Sequence, residues 1–510
     1  MGLHRRSLLT AGMLAGAALP FLRRPGFAAS ADRPLRFGLS SYPPSFQPWV
    51  QAGTAAGTVN LLVNRGLIAY DAAGDLRGEL AESWARDGDA GWRFHLREAF
   101  FHNGAPVTAE DVKWSIEQVA AEKSTAYMRG QFQGVDRIET PDARTVRIIM
   151  KQPTATVPLW LAAYEMPVIA KDSLDHAGVG VGCGPYVITA QDRGVSLDLS
   201  GFDRFYRPGL PKVKTLRIIV YADETARVAA LQAGDVDLIE YVPWQSMAGI
   251  EADPKLKLLT TNGPFMYVTF NGNFGPFADP RIRRAVGHAV NREEIVKSVF
   301  FGRGSPLEGL PILPGSAFYD EKLAHGWNYD PARAKQLLAE AGKADGFACT
   351  LLATAQYGMH KDTAVLMQQH LAAIGIQVTL SLPDWPTRVA LGNRGQYEFA
   401  VGGTTTDGND PDGLAPLLDG ALGASMARSP NIATPKLTAL FAAGRGEFDE
   451  TKRRAIYNSL QQEAIEQTPA TFLAWRSQGY AMAHDVQGFT NLPGALTFLS
   501  GLTLEDTSFA

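Results

Sequence analysis

Apolar positions recur along the chain with two periods, and they alternate from end to end. Val112, Ile116 and Val119 recur at helical spacing behind Thr108, with an acid at Asp111, which predicts a capped helix. Asp223 opens a second helix carrying Val228 and Leu231, Gly234 closes it, and Val236–Ile239 reads as a short strand. Asp279-Pro280 and Asp330-Pro331 both place a cap before a proline in the first turn. The first helix bears Ile282, Val286 and Val290; the second bears Leu337, Leu338 and Ala341 before Gly342. Asn291 with Glu294 is a capping-box pattern ahead of Ile295, Val296 and Val299. A helix is expected from about Asp362 to Ile374, stopped by Gly375, and the alternation from Ile376 to Leu382 then predicts a strand. A late helix from about Asp449 to Gln467 is expected to turn Ile456, Leu460 and Ile465 inward.

The pattern predicts a mixed α/β chain without a low-complexity linker or a repeat of fixed period. Its 510 residues suggest about three domains. The lack of linkers suggests that these are interleaved, with the chain crossing between lobes more than once.

The N-terminus has a different pattern. Arg5-Arg6-Ser-Leu-Leu precedes an apolar run from Leu8 to Leu22, and Ala29-Ser30-Ala31 offers a small-residue cleavage site. The run is short and glycine-rich for a membrane span of about 20 residues. It reads as an export signal over residues 1–31, and the arginine pair resembles the twin-arginine type. Without its four arginines the 48 basic residues become 44 against 52 acidic, a net charge of −8. That balance argues against nucleic acid as a partner. Two cysteines, Cys183 and Cys349, exclude a disulfide scaffold, and neither lies near the cleavage site where a lipid anchor would attach. They read as buried free thiols.

Catalytic signatures are missing. The sequence has no G-x-x-x-x-G-K-[ST], no H-E-x-x-H, no C-x-x-C and no G-x-S-x-G. The run from Gly178 to Gly184 departs from a dinucleotide fingerprint, because Pro185 follows it. Nine scattered histidines show no metal spacing. No cofactor or metal is expected.

Five ordered blocks do carry a resemblance. They are Glu79–Trp84 with Trp92–Arg97, Phe101–Gly104 and Val107–Val112; Gly182-Cys-Gly-Pro-Tyr186; Ala229–Asp237; Asn271 with Pro276–Arg283 and Ala289–Ile295; and Tyr329–Lys335 with Leu337–Gly342. Together they resemble the periplasmic solute-binding proteins of peptide- and nickel-type ABC importers, family 5, from about residue 35 to the C-terminus. The resemblance implies an α/β, two-lobed periplasmic binding protein (class II-like, cluster C) with an extra subdomain in lobe I. By that analogy lobe I covers about 32–265 with 485–510 returning to it, the extra subdomain about 65–175, and lobe II about 266–484. The crossings are expected near Met266–Phe270 and Gln478–Ala483. The implied role is a monomeric, unanchored periplasmic receptor, not an enzyme, that delivers a small-molecule ligand to a cognate ABC permease in the inner membrane.

For the ligand, the loop Thr404–Asp412 is similar to the family's amine-binding loop, with Asp407 at the amine-binding position. A carboxylate there would meet an ammonium in a charge-assisted hydrogen bond. Two departures stand out. Gly402-Gly403 occupies the place of an aromatic residue common in the family. The stretch Thr354–Lys361 lacks the arginine that dipeptide binders use for the ligand carboxylate, leaving His360 and Lys361. Arg476 and Arg428 are the other candidate anion contacts; Trp244, Phe265, Tyr357, Trp385 and Trp475 are the candidate aromatic contacts. A short peptide, a modified amino acid or an opine-like compound fits this set. The alternatives are a nickel or metal-chelate ligand within the family, an exported hydrolase, and a sensory or chaperone-like partner.

Overall fold

The structure is a computed structural model. It describes residues 33–510 except 50–52, 123, 125, 127, 407, 423 and 424. The export signal read over residues 1–31 lies outside the described residues. Among those described, no helix is long and apolar enough to cross a membrane.

Two long antiparallel strands, Leu256–Phe270 and Ala470–Ala483, form the spine of an eleven-stranded mixed sheet. On one side follow Leu238–Ile239, Leu35–Leu39, Thr215–Val220, Ser196–Gly201 and Tyr186–Asp192. On the other side follow Phe399–Thr404, Phe347–Leu352 and Ile376–Ser381, and the short strand Gly304–Pro306 pairs with Ala474–Arg476 of the spine. The sheet therefore serves two lobes. Leu256 and Ala481 sit in one apolar core with Val228, Met247 and Ile250. Met266, Val268 and Phe270 sit in another with Ile282, Val286 and Leu337. The shared strands begin ten residues before the expected crossing at Met266, and their register shifts between Asn262 and Phe265. At this break a Cβ on Gly263 would lie 2.0 Å from the Gly494 carbonyl oxygen, so only glycine admits the C-terminal segment so close.

The extra unit is a four-stranded antiparallel sheet in the order Ala81–Arg86, Gly91–Leu96, Thr145–Met150, Val135–Asp142. Helix Ala109–Ala120 packs Val112, Ile116 and Val119 onto it beside Phe94 and Ile148. Thr108 and Asp111 form its capping box.

The capped helices appear at 224–233, 280–289, 292–299, 331–340 and 450–467, with Asp223, Asp279, Asn291, Asp330 and Asp449 accepting backbone N–H groups. Gly234 takes the left-handed conformation (φ 76°) that ends the first of them. Two expectations change. The helix expected from Asp362 begins at Gly358, so His360 and Lys361 lie on it. The late helix buries Tyr457, Leu460, Gln461 and Ala464, leaving Ile456 and Ile465 half-buried, because the larger Tyr457 ring takes the core position. Cys183 and Cys349 are free and buried, in separate cores.

The C-terminal segment packs against elements from the first half of the chain. Residues Gly494–Asp506 form 3-10 turns, and Ser508–Phe509 pairs with Val486–Gln487. Glu505, fully buried, joins Arg65 at 2.6 Å and also meets Arg207 and, at 3.7 Å, Arg77. Glu79 receives Arg77 at 2.8 Å, so the cluster ties residues 65–79 to the last turn.

Candidate functional site

A cavity of about 290 Å³ lies where the lobes, the extra unit and the C-terminal turns meet. That is the low end of the size range of small-molecule pockets, about 300–1,000 Å³. Thr54 reaches it from helix Gly53–Val63, and Tyr164 with Glu165 from the segment that closes the extra unit. Tyr241 comes from the turn after Leu238–Ile239, and Phe498 from the C-terminal turns. The second lobe supplies Thr404, Thr405 and Thr406 at the end of Phe399–Thr404, with Pro416 and Leu417. Arg476 enters from the spine strand.

Arg476 is the main charge of this wall. It is 2% exposed, and its Nη1 donates to Gln478 Oε1 at 3.1 Å. Its Nε has no hydrogen-bond partner, and no carboxylate of the described residues lies within 4 Å of it. Its guanidinium carbon stands 5.8 Å from the Trp244 ring centre. Burial lowers its pKa from the usual arginine value, while contact with Tyr241 works the other way.

Tyr241 has φ 49°, a left-handed conformation costly for a bulky side chain. The turn aims its ring into the cavity, where it stacks on Phe498 at 5.6 Å and 21°. Its polar neighbours are Arg476 and Thr54.

Behind the wall lies His360, 2% exposed. A Cβ on Gly403 would stand 3.3 Å from its Nε2. Burial, followed by the charges of Arg388 and Arg476, pushes its pKa down to about 3, so the imidazole is neutral. Arg388 is buried and donates to the Val401 carbonyl at 2.7 Å.

The candidates read from the sequence are distributed as follows. Arg476 lines the cavity. Arg428 lies beside it, donating to the Pro416 carbonyl at 2.5 Å, and so braces the wall. Trp244 opens helix Trp244–Ala252, not a loop; its Nε1 donates to the Ser477 carbonyl at 2.8 Å and its ring packs edge-on to Phe300. Phe265 and Trp475 belong to an aromatic core with Tyr267 and Phe472, because strand alternation turns them to the face opposite Met266 and Ala474. Tyr357 and Trp385 pack on each other and on His360 at the outer side of the wall, with Tyr357 39% exposed. Lys361 is exposed. Asp407 lies outside the described residues; its neighbour Thr406 lines the cavity. Tyr241 and Phe498 escaped the sequence reading. A left-handed tyrosine leaves no mark in hydropathy, and Phe498 reads as one more apolar residue of the C-terminal run.

Two lobes on one sheet, enclosing at their junction a cavity of mostly apolar lining with a few polar groups, define a receptor for a small solute. Residues 75–425 match the model of the bacterial extracellular solute-binding proteins, family 5 Middle, and the chain belongs to that family. The periplasmic binding protein AgaA of A. tumefaciens R10, solved with agropinic acid, is similar with a TM-score of 0.86 and 38% identity, over 94% of this chain and 99% of that one. The glutathione-binding protein GsiB of Pectobacterium atrosepticum is 27% identical over 97% of this chain and 98% of its own. MoaA of A. tumefaciens R10, solved with mannopinic acid, shares the fold at a TM-score of 0.79 and 23% identity, over 94% and 99% of the two chains. This chain is accordingly the substrate-binding component of an ABC importer.

Proposed function

We propose that the protein captures an opine-like compound, with a modified amino acid or short peptide as the related possibilities, in the cavity between its lobes. The carrying observation is the relationship to AgaA in its complex with agropinic acid, at 38% identity across nearly the whole of both chains. The cavity supports the reading. Its hydroxyl-rich rim at Thr54 and Thr404–Thr406 suits a polar solute, and the Tyr241–Phe498 stack suits a flat or apolar part. Asp407 is proposed as the amine contact, from the loop that Thr406 brings to the cavity. Arg476 is the proposed anion contact, with Arg428 and Trp244 as its supports.

On this reading residues 1–31 are a twin-arginine export signal, and the mature receptor is a periplasmic, unanchored monomer that serves an inner-membrane permease without catalysing a reaction. The lobes are proposed to be 33–261 with 478–510, and 265–477, joined at the register break of the spine strands.

Thermal-shift titration tests the reading, with agropinic acid, mannopinic acid, glutathione, dipeptides and nickel–histidine as probes. At 100 times Kd a true ligand adds about 2.7 kcal/mol of stability. A rise in Tm with one of the organic solutes, recovered unchanged afterwards, is expected. Stabilisation by nickel–histidine alone, or conversion of the solute to product, overturns it.

A further inference from the structure

We infer that the solute carries an acid group, that this group seats against Arg476, and that Tyr241 is the positioning residue that aims the guanidinium at it. The inference deepens the proposed capture of an opine-like or peptide-like solute and rests on it.

Three observations converge. A buried cation needs a partner, since an unpaired charge out of water costs several kcal/mol. Arg476 is 2% exposed, and among the described residues it has no carboxylate within 4 Å. Its neutral neighbours are Gln478, Tyr241 and the Trp244 face, and its Nε is unsatisfied.

The cavity is where the partner would come from, because Arg476 is part of its lining. A planar guanidinium with a free edge suits a carboxylate held by two parallel hydrogen bonds. His360 and Arg388, packed behind Gly403, carry no carboxylate partner among the described residues either. The imidazole is neutral, so the charge of this wall is that of the two guanidiniums, and Glu165, the one carboxylate among the described lining residues, forms no ion pair with either.

Tyr241 ties the site to the first lobe. It adopts φ 49°, stacks on Phe498 and lines the cavity beside Arg476 and Thr54. The strained turn holds one arginine geometry, which is what discrimination between an acid and its neutral analogue requires.

The test uses full-length mature protein freed of retained solute, with calorimetric titration of agropinic acid, mannopinic acid and glutathione, each against its methyl ester or amide. The expected result is that an acid binds at least 100-fold more tightly than its neutral analogue. Arg476→Gln abolishes most of that ratio. Tyr241→Phe, which keeps the stack, reduces the ratio by about 5- to 20-fold. Equal binding of acid and neutral forms, or an unchanged ratio in Arg476→Gln, overturns the inference while the capture of solute stands. A Tyr241→Phe variant with the wild-type ratio removes Tyr241 from the positioning role. If none of the probes binds, the proposed function fails and takes this inference with it.

Discussion

The Phe448 ring lies against the Arg86 guanidinium, whose carbon is 3.7 Å from the ring centre, and tilts onto Trp92 at 6.2 Å. Arg86 and Trp92 stand on adjacent strands of the extra unit, whereas Phe448 sits in the turn before the late helix of the second lobe. Nearby, Ala155 N–H donates to the Arg445 carbonyl at 2.7 Å. The contact is therefore a clasp between parts that close on the cavity.

Phe448→Ala removes the ring from both partners and leaves the cavity wall intact. A cation–π contact and an aromatic pair are each worth about 0.5–1.5 kcal/mol. Solute affinity is expected to fall about 3- to 30-fold, chiefly through faster release, and small-angle scattering should show a larger ligand-free radius. An unchanged dissociation rate would mean that the clasp does not hold the closed form.

The two glycines at 402 and 403 were a departure from the family pattern, and the structure gives the cause. A Cβ on Gly402 would lie 2.5 Å from Tyr267 Cε1. The Tyr267 ring stacks on Phe472 and its hydroxyl donates to the Ala427 carbonyl at 3.0 Å, so it has little room to yield. Gly402→Ala is expected to cost about 1–3 kcal/mol by overpacking, read as a lower urea midpoint. Gly403→Ala meets the Met266 sulfur at 3.0 Å, a flexible side-chain atom, and should cost less. A larger loss at 403 than at 402 would contradict this account.

Much of the fold was legible because its signals are local. Asp279-Pro280 and Asp330-Pro331 start helices whatever packs on them, and Gly234 ends one by its own φ. The site was less legible because its residues are set by long-range structure. Phe265 looked like a cleft aromatic near the expected crossing, and strand parity turns it into the core; Trp475 packs in that core and also lines a small pocket with Thr406 and Ala495. Tyr241 looked ordinary, and its strained turn places it on the wall. Arg476 was legible as a candidate because it lies close to the expected second crossing, yet its missing partner shows only in three dimensions.

Glu505 is buried at the centre of Arg65, Arg77 and Arg207. Glu505→Ala leaves three arginines around one remaining carboxylate, Glu79. Breaking one partner out of a buried ion cluster costs about 3–5 kcal/mol. Exposed pairs such as Arg137–Glu139 are expected to cost under about 1 kcal/mol when cut. Chemical denaturation of Glu505→Ala and Glu139→Ala provides the comparison. Equal losses would show that the buried cluster adds no more stability than a surface pair.

His360 gives the protein a specific acid sensitivity. Burial first, and then Arg388 and Arg476, hold its folded pKa at about 3, against an ordinary value of 6.5. Because the depressed group stays neutral when folded, the unfolded chain takes up the proton first. The stability tied to His360 is complete above about pH 6.5 and is lost as the pH falls towards 3, by up to about 1.4 kcal/mol per pH unit. Asp412 works in the opposite sense: burial, partly offset by Arg445, raises it to about 6, so its contribution fades as the pH rises through that value. The two are separated by comparing urea midpoints of the wild type and His360→Gln from pH 8 to pH 5, since Asp412 is common to both. Above about pH 7.5 the difference between the two proteins should be constant. Below pH 6.5 the wild type should lose stability relative to the variant, and a difference that stays flat to pH 5 would mean that His360 is protonated alike in the folded and unfolded chains.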